Sequence, residues 1–487
     1  MTYPFLGRLR VIESSAFIAA PLAGLTLAQF GADVIRIDMI GGGIDYARMP
    51  RMPHPQGHGR SLYWTGLNKG KRSVAVDLRR PEGRELIQAL TTAPGPDAGV
   101  LLTNIGTPWL AHEVLAARRE DLISCTIQGN GDGSTAVDYT VNCATGYPAV
   151  TGGGSRAQPV NHVLPAWDIA CAYQAALAIL AAVDHRRRGG QGAELKLALS
   201  DMAFGMLSHL GVLAEAELLG QERPSIGNHL YGAFGRDFGT ADGGRLMVAA
   251  ISAGQWKALV ACCGIAEPIG ALQQRLDLDF ADEAQRFEAR DAIAALVEPW
   301  FSARTQQEAQ VALEQYKVCW GRYSTVGEAL AGDARASLAN PVFERIDTPG
   351  IGAHLAAGAA VRAPGMEREA TSPAALLGTH TDEVLHEVLG LSGAAIGRLH
   401  DEGVVAGPQR DPTVVAAAAE WTVRGTDVIS ACRRLAAQPR WGSLLRPRHH
   451  RRTNPHPAPS PGTPPSAAAA HAVARPGAPP SAATAAR

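Results

Sequence analysis

The amino-terminal segment constrains the fold most, because it has the pattern of two β-strands joined by a helix. Residues 9–13 (LRVIE) and 32–38 (ADVIRID) are short apolar runs that predict strands. Between them, 22–30 predict a helix that follows a loop at 14–21. A helix between two strands returns the chain to the edge of the sheet where the first strand began, so the second strand runs parallel to the first. The opening of the chain therefore predicts an α/β fold with a parallel sheet.

Later segments repeat this pattern and extend the predicted sheet. Residues 74–78, 98–103 and 122–128 are further apolar strand candidates, and 81–90, with Pro at its first position, predict a helix. Residues 195–213 predict a strand that runs directly into another helix. These alternating elements continue the predicted parallel sheet.

Shifts in composition suggest how the chain is divided. We predict the N-terminal part of a large domain at 1–215, a small domain at 220–335, the C-terminal part of the large domain at 341–406, and a disordered Pro/Ala/Arg-rich tail at 408–487. Within the small domain, 245–251 predict an isolated strand. Within 341–406, short strands are followed by one predicted helix at 382–399.

The overall composition excludes several classes of protein. A net charge of -1 gives no general attraction to nucleic acid or to acidic membranes. The uncharged run at 14–32 is nearly long enough to span a bilayer, but Pro and Gly interrupt it, so we expect a soluble cytoplasmic protein. The seven cysteines show no CxxC and no Cys/His metal spacing, which predicts free thiols and no metal site.

Asp168 directly precedes the uncharged run 169–183, which predicts a buried helix. Its place in the first turn, just after Pro165, favours a negative charge near the positive end of the helix dipole. One interpretation is a helix N-cap. The other is a nucleophile held ionised against an acyl substrate.

Two further segments suggest ligand contacts. Residues 67–73 (LNKGKRS) place three cations within four positions, which is typical of a solvated edge or of a phosphate site. Gly41, Gly42 and Gly43 follow a strand but lack the GxGxxG spacing of a dinucleotide site, so no nicotinamide cofactor is expected.

Several short motifs together resemble the class III CoA-transferase family, also called the CaiB/BaiF or formyl-CoA transferase family. They are RVIE at 10–13, APLAG at 20–24, GADVIRID at 31–38, LNKGKRS at 67–73, DLR with PEGR at 77–84, Asn104 and LGTHTDEVL at 377–385. The resemblance runs from about Leu6 to Val405. It implies a Rossmann-like, parallel-sheet large domain and a smaller α+β domain in an interlocked, ring-like homodimer. It also implies an acyl-CoA substrate, with no separate cofactor.

The resemblance implies roles for individual residues. Asp168 matches the family's catalytic aspartate, and Gly232 and Gly235, with Tyr231, match its lid and oxyanion site. The residues implied to bind CoA are Arg36, Leu67, Lys71, Arg72 and Asn104. The chain departs from the family at Ile18, where Gln is common, and at 231–235 (YGAFG), where the lid is otherwise glycine alone.

A closer match within the family covers 40–46, 64–72, 138–142, 161–169 and 227–238. It implies that CoA moves between the two carboxyl groups of one substrate molecule. This transfer converts 2-methylfumaryl-CoA to 3-methylfumaryl-CoA. The implied intermediates are an aspartyl anhydride and an aspartyl-CoA thioester.

Three alternatives stay open. The first is an intermolecular transferase that uses a donor such as succinyl-CoA. The second is a 2-methylacyl-CoA racemase, but Val137 stands where the racemase motif has its His. The third is a non-catalytic CoA-binding protein in which Asp168 is only an N-cap.

Overall fold

The computed structural model describes residues 2–54, 57–95, 97–152 and 158–415. In these ranges the strands are β1 (Arg10–Ser14), β2 (Asp33–Met39), β3 (Arg51–His54), β4 (Gly57–Ser61), β5 (Arg72–Val76), β6 (Val100–Thr103), β7 (Ile123–Gln128), β8 (Ala193–Ala198), β9 (Phe234–Gly239), β10 (Arg245–Ala250), β11 (Cys319–Arg322), β12 (Phe343–Thr348), β13 (Gly352–Ala357) and β14 (Val405–Ala406).

The helices of the same ranges are α1 (Ala19–Gln29), α2 (Leu62–Leu67), α3 (Pro81–Thr92), α4 (His112–Ala116), α5 (Asp138–Ala144), α6 (Tyr147–Thr151), α7 (Ala166–Arg187), α8 (Leu199–His209), α9 (Val212–Leu219), α10 (Ala253–Cys263), α11 (Ala266–Leu276), α12 (Glu283–Glu288), α13 (Arg290–Ser302), α14 (Gln306–Gln315), α15 (Val326–Gly332), α16 (Thr381–Leu389), α17 (Gly393–Asp401) and α18 (Pro412–Val415).

The main sheet has the strand order β14-β5-β2-β1-β6-β7-β8. Its strands are parallel except β14, which pairs antiparallel with β5. The predicted parallel sheet is thus confirmed. The chain moves outward from β1 through β2 to β5 and then returns to the other side of β1 as β6. This reversal opens a crevice at the carboxyl ends of β1 and β6, where ligands of such sheets bind.

Helices cover both faces of this sheet. On one face α7 packs against α1, with Cys171, Ala175 and Ile179 fully buried. By length and composition alone α7 could cross a membrane, but in the fold it is a core helix of the sheet. On the other face α3, α16 and α17 bury Ile87, Val384 and other apolar residues. The segment after the small sheet therefore returns to this core.

The predicted boundary of α1 is wrong by one turn. The helix begins at Ala19 rather than at residue 22, so Pro21 lies inside its first turn. Proline is tolerated there because the first amide groups of a helix have no acceptor within it. A proline in such a position does not mark the end of the preceding loop.

A second, antiparallel sheet has the order β11-β10-β9 and packs against α10, α11, α13 and α14. The prediction of an isolated strand at 245–251 is wrong, because β10 is the central strand of this sheet. Its partners, with sequences FGRDFG and CWGR, are too rich in Gly and charge to show a strand pattern.

The single helix predicted at 382–399 is also wrong, since the segment forms α16 and α17. Gly390, with φ of 66°, ends α16, and Ser392 caps α17 by accepting a hydrogen bond from Ala395 N–H. In the predicted tail, residues 408–415 form short helical turns, and Asp411 is buried. The tail from residue 416 lies outside the described residues. The domain boundaries stay predictions.

Candidate active site

The loops after β1, β2, β6 and β7 meet at the carboxyl edge of the main sheet. Asn104, directly after β6, bridges to the loop after β1: its Oδ1 accepts from Ala16 N–H at 2.9 Å and its Nδ2 donates to Ala16 O at 2.7 Å. Asn104 thus holds the two sides of the crevice together. Both polar ends of its amide are engaged, and its predicted contact with CoA stays a prediction.

The loop after β1 is strained at Phe17. This residue has φ of 65°, in the left-handed region that a bulky side chain rarely adopts. Its N–H donates to the buried Asp45, in the loop after β2, at 2.9 Å. The contacts of Asp45 and Asn104 on either side hold this conformation, and strain of this kind is concentrated at functional sites.

Asp168 is the third residue of α7, as the sequence predicts, but it does not cap the helix. The N-cap is Pro165, whose side chain accepts no hydrogen bond. Instead Asp138, the first residue of α5, accepts from Trp167 N–H at 2.7 Å and from Asp168 N–H at 3.1 Å. The N-cap interpretation of Asp168 is therefore wrong, and its carboxylate is not used in capping.

The residues of α5 also fix the loop that leads into α7. Asn142 accepts from Trp167 Nε1 at 3.1 Å and donates to Asn161 Oδ1 at 2.5 Å. Tyr139 donates its hydroxyl to Val163 O at 3.3 Å. The position of Asp168 is therefore set from two sides, by α5 and by its own helix.

Burial changes the acidity of Asp168. The carboxyl group is half-buried, and this burial, together with the negative charge of Asp138, raises its pKa from 3.8 to about 6, while Arg48 acts in the opposite direction. Near neutral pH most of the group is still ionised. A carboxylate with few hydrogen-bond partners and a raised pKa is a stronger nucleophile than one in water.

Sequence reasoning did not identify Arg48 or Tyr63 as part of this crevice. The Arg48 guanidinium lies over the rings of Phe17 and Tyr63, 5.3 and 5.2 Å from their centroids. Burial raises the pKa of Tyr63 to about 12, with Arg48 lowering it and the charge of Asp168 raising it further. Only the order of the strands, which brings the loops after β1 and β2 together, would have linked these residues to Asp168.

Arg36 and Lys71, predicted to bind CoA phosphates, are buried beneath the crevice. Arg36 bonds Glu13 and Asp38, each at 2.9 Å. Lys71 bonds Glu13 at 2.8 Å and Pro21 O at 2.8 Å, and burial lowers its pKa to about 8. In this geometry Lys71 ties α1 to β1, and Arg36 ties β2 to β1, so contact with a phosphate would require these ion pairs to open. Their role in binding CoA stays a prediction.

The remaining predicted CoA contacts lie nearer the surface. Arg72 bonds Asp33 through two nitrogens and also contacts Glu383 and Glu387 of α16. Leu67 ends α2 and is half-buried. Neither assignment is tested by this geometry.

The lid candidate, residues 231–235, follows α9 in the chain and leads into β9, the first strand of the second sheet. Tyr231 donates to Glu215 of α9 at 2.5 Å, and the Arg223 guanidinium lies 3.8 Å from the centre of its ring. Gly232 has φ of 79°, which favours glycine, and Gly235 belongs to β9. A cavity of about 380 Å³ lies beside Glu215 and Arg223. The closing of this segment over Asp168 stays a prediction.

The described cysteines form no disulfide: Cys143 and Cys319 are exposed, and the others in the described ranges are buried. Cys432 lies outside the described residues. Within those ranges no group of three or more His, Cys, Asp and Glu side chains could hold a metal ion.

Comparisons with known proteins identify the relatives of the whole chain. The family model described as CoA-transferase family III matches residues 6–381. The chain is 51% identical over 403 residues to 2-methylfumaryl-CoA isomerase of Chloroflexus aurantiacus, covering 82% of this chain and 98% of that protein. It is 29% identical over 417 residues to succinyl-CoA–D-citramalate CoA-transferase of the same organism, covering 82% and 98%.

A crystal structure of a CaiB/BaiF family protein from Brucella suis has the same fold, with a TM-score of 0.65 and 24% identity, covering 80% of this chain and all of that one. The family resemblance indicated by the motifs is thus confirmed by the family model and by the 51% identical relative, and the predicted fold class by the solved structure. The chain belongs to CoA-transferase family III.

Proposed function

We propose that this protein is an isomerase that moves CoA within one substrate molecule, from C1 of 2-methylfumaryl-CoA to C4, giving 3-methylfumaryl-CoA. The observation that supports this most is the environment of Asp168: a half-buried carboxylate, not used in capping, at the crevice of the main sheet. The 51% identity to an isomerase named for this substrate supports the acyl group.

The chemistry follows from a carboxylate nucleophile. An Asp168 oxygen attacks the C1 thioester carbonyl, the C–S bond breaks, and a mixed anhydride and CoA thiolate form. The thiolate then attacks the aspartyl carbonyl, which leaves an aspartyl-CoA thioester and the free dicarboxylate. The C4 carboxylate attacks the aspartyl thioester, and the released thiolate attacks the C4 carbonyl of the new anhydride. This restores the Asp168 carboxylate and yields the C4 thioester.

The anhydride would be hydrolysed by water, so the site has to close during the reaction. We assign this closure to 231–235, with backbone N–H groups at Gly232 and Gly235 stabilising the developing oxyanion. Arg36, Leu67, Lys71, Arg72 and Asn104 stay our proposed CoA contacts. CoA enters as part of the substrate, and we propose no separate cofactor, no metal, and no nucleic-acid or membrane partner. We propose that the protein acts in the cytoplasm.

We also propose a homodimer. Large apolar side chains are exposed along neighbouring helices α7, α8 and α9: Tyr173, Leu177, Phe204, Leu210, Leu213, Leu218 and Leu219. Many exposed apolar side chains on helices that pack together are typical of a protein–protein interface, and a second copy of this chain is the partner we propose. Light scattering during gel filtration should give the mass of a dimer, and a monomer would contradict this.

An intermolecular transferase is the second candidate, because the chain is also similar to a succinyl-CoA–D-citramalate CoA-transferase. The same nucleophile serves both reactions. The racemase alternative lacks its base: Val137, at the N-cap of α5, offers no group that titrates.

The test is to incubate the purified protein with 2-methylfumaryl-CoA alone and to follow both thioesters by chromatography. We expect the C4 thioester to form without any free acid. Asp168→Asn should abolish its formation, whereas Asp184→Asn, at the exposed end of the same helix, should not. Turnover only after succinate or another free acid is added would favour the intermolecular transferase and overturn the proposal.

A further inference from the structure

The side chain of Arg48 is placed for a role that the fold does not require. Its backbone is already held, because Arg48 N–H donates to Asp45 O at 3.0 Å and Arg48 O accepts from Ser61 Oγ at 2.6 Å. The side chain itself is exposed and lies between the rings of Phe17 and Tyr63. In the described part of the chain no Asp or Glu forms an ion pair with it. The guanidinium therefore retains its hydrogen-bond donors for another group.

The hydroxyl group of Tyr63 is likewise without a partner. It is buried, yet it forms no hydrogen bond with the described residues. Buried hydroxyl groups in native proteins nearly always have a partner, so an orphan of this kind indicates a missing ligand or water. Because the Arg48 guanidinium lies over the ring of Tyr63, one ligand could satisfy both groups.

Both groups lie near the nucleophile, close enough for the charges to act on one another, without neutralising it. The charges of Arg48 and Asp168 act on Tyr63, and the charge of Arg48 acts on Asp168. Within the described residues, however, Arg48 and Asp168 form no ion pair. An arginine fork and a hydroxyl donor with aromatic walls form a typical receptor for a carboxylate.

We propose that Arg48, assisted by the hydroxyl of Tyr63, binds the free carboxylate of the acyl group while Asp168 attacks the thioester at the other end. Arg48 is then the residue that selects dicarboxylyl-CoA substrates over neutral acyl-CoAs. This inference rests on the proposed function, since it concerns the substrate class of that same site.

The proposed reaction needs such a receptor twice. In the first half, the C4 carboxylate of the substrate is free and the C1 carbonyl reacts. In the second half, the C1 carboxylate is free and C4 reacts, so the dicarboxylate has to exchange its two ends within the site. A cation beside the nucleophile holds whichever carboxylate is not reacting, and it retains the free dicarboxylate until the second half begins.

The experiment compares two substrates that differ in one group. In 2-methylbut-2-enoyl-CoA, with the E configuration, a methyl group replaces the free carboxylate of 2-methylfumaryl-CoA. Each can acylate Asp168 and leave an aspartyl-CoA thioester, which intact-protein mass spectrometry detects as one CoA added. Rates of this half-reaction are measured for the wild-type protein, Arg48→Gln, Arg48→Lys, Tyr63→Phe and, as a control, Arg8→Gln at the opposite edge of the sheet.

We expect the wild-type protein to prefer the dicarboxylyl substrate. Arg48→Gln should lower kcat/KM for that substrate by about 10- to 100-fold, the loss expected for hydrogen bonds to a charged group, and leave the neutral substrate almost unchanged. Arg48→Lys should keep part of the preference, because it keeps the charge but not the fork. Tyr63→Phe should give a smaller loss, and Arg8→Gln should keep the full preference.

Two results would overturn the inference: an Arg48→Gln variant that keeps the wild-type preference, or one that slows both substrates equally. If Arg48→Gln does not fold, as judged by circular dichroism, Arg48→Lys and Tyr63→Phe test the inference instead. The quantity compared is again the ratio of kcat/KM for the dicarboxylyl substrate to kcat/KM for the neutral one. Failure of the proposed function looks different. In that case the wild-type protein forms no CoA adduct with 2-methylfumaryl-CoA, or forms the adduct but no C4 thioester.

Discussion

Asp138 offers a sharp test of how the fold adjusts the nucleophile. Asp138→Asn retains an oxygen that accepts from the N–H groups of Trp167 and Asp168, so the start of α7 keeps its cap. What the substitution removes is the negative charge beside Asp168. The other oxygen of Asp138 is buried without a partner, so the new amide nitrogen has no acceptor there, and we expect a loss of stability of about 1–2 kcal/mol.

The size of the effect follows from the pKa of Asp168. The difference between a pKa of 3.8 and one of about 6 corresponds to about 3 kcal/mol in favour of the neutral form. Burial is the largest cause and is unchanged in the variant, and the charge of Asp138 is the second cause. We therefore expect removal of this charge to be worth about 1 kcal/mol, which is a little under one pH unit.

The assay is the pH dependence of kcat/KM, which reports the pKa of the free enzyme. Since Asp168 reacts as the carboxylate, the wild-type rate should fall below about pH 6, and the fall in Asp138→Asn should lie at lower pH by up to about one unit. Asp132→Asn, an exposed charge in the loop before α5, should leave the profile unchanged. An acid limb that stays in place in Asp138→Asn, or moves to higher pH, would refute this reasoning.

Three further predictions concern stability. A Cβ at Gly24 would lie 1.7 Å from Glu13 Oε2 and would displace the buried ion pair with Lys71, so Gly24→Ala should lower the free energy of unfolding by about 3 kcal/mol or more, measured by urea denaturation. Lys71→Met removes one of the two cations that pair with buried Glu13, leaving Arg36 as the other, and should lower the free energy of unfolding by about 1–3 kcal/mol in the same assay; no loss would contradict the network. The raised pKa of Asp168 means that the folded state loses stability as pH rises from 3.8 to about 6, so Asp168→Asn should raise the melting temperature at pH 8 more than at pH 4; an equal gain at both values would contradict this.

Much of the fold could be predicted from local pattern. The elements of the parallel sheet and the position of Asp168 in the first turn of α7 followed from runs of apolar residues and from one proline. These signals are local, since periodicity and helix-end chemistry act over a few residues. Errors arose where the signal was not local. The sheet around β10 is formed by strands far apart in the chain, and Gly390 divides a pattern that otherwise continues.

The candidate site was less predictable for the same reason. Arg48 and Asp138 approach Asp168 only because the strand order brings the loops after β2 and β7 to one edge. The reverse holds for Lys71: its cationic segment suggested a phosphate site, but the pairing of β5 with β2 places its side chain beside buried Glu13. Residue type alone does not tell a buried cation from an exposed one.

The central claim is that Asp168 exchanges an oxygen with the substrate during transfer within one molecule. We would run a single turnover of 2-methylfumaryl-CoA labelled with ¹⁸O in its free carboxylate, with no free acid present, and analyse the peptide that contains Asp168 by mass spectrometry. The mechanism delivers one substrate oxygen to that carboxylate, so we predict a peptide about 2 Da heavier together with the C4 thioester. An unlabelled Asp168 peptide alongside the C4 thioester would contradict it.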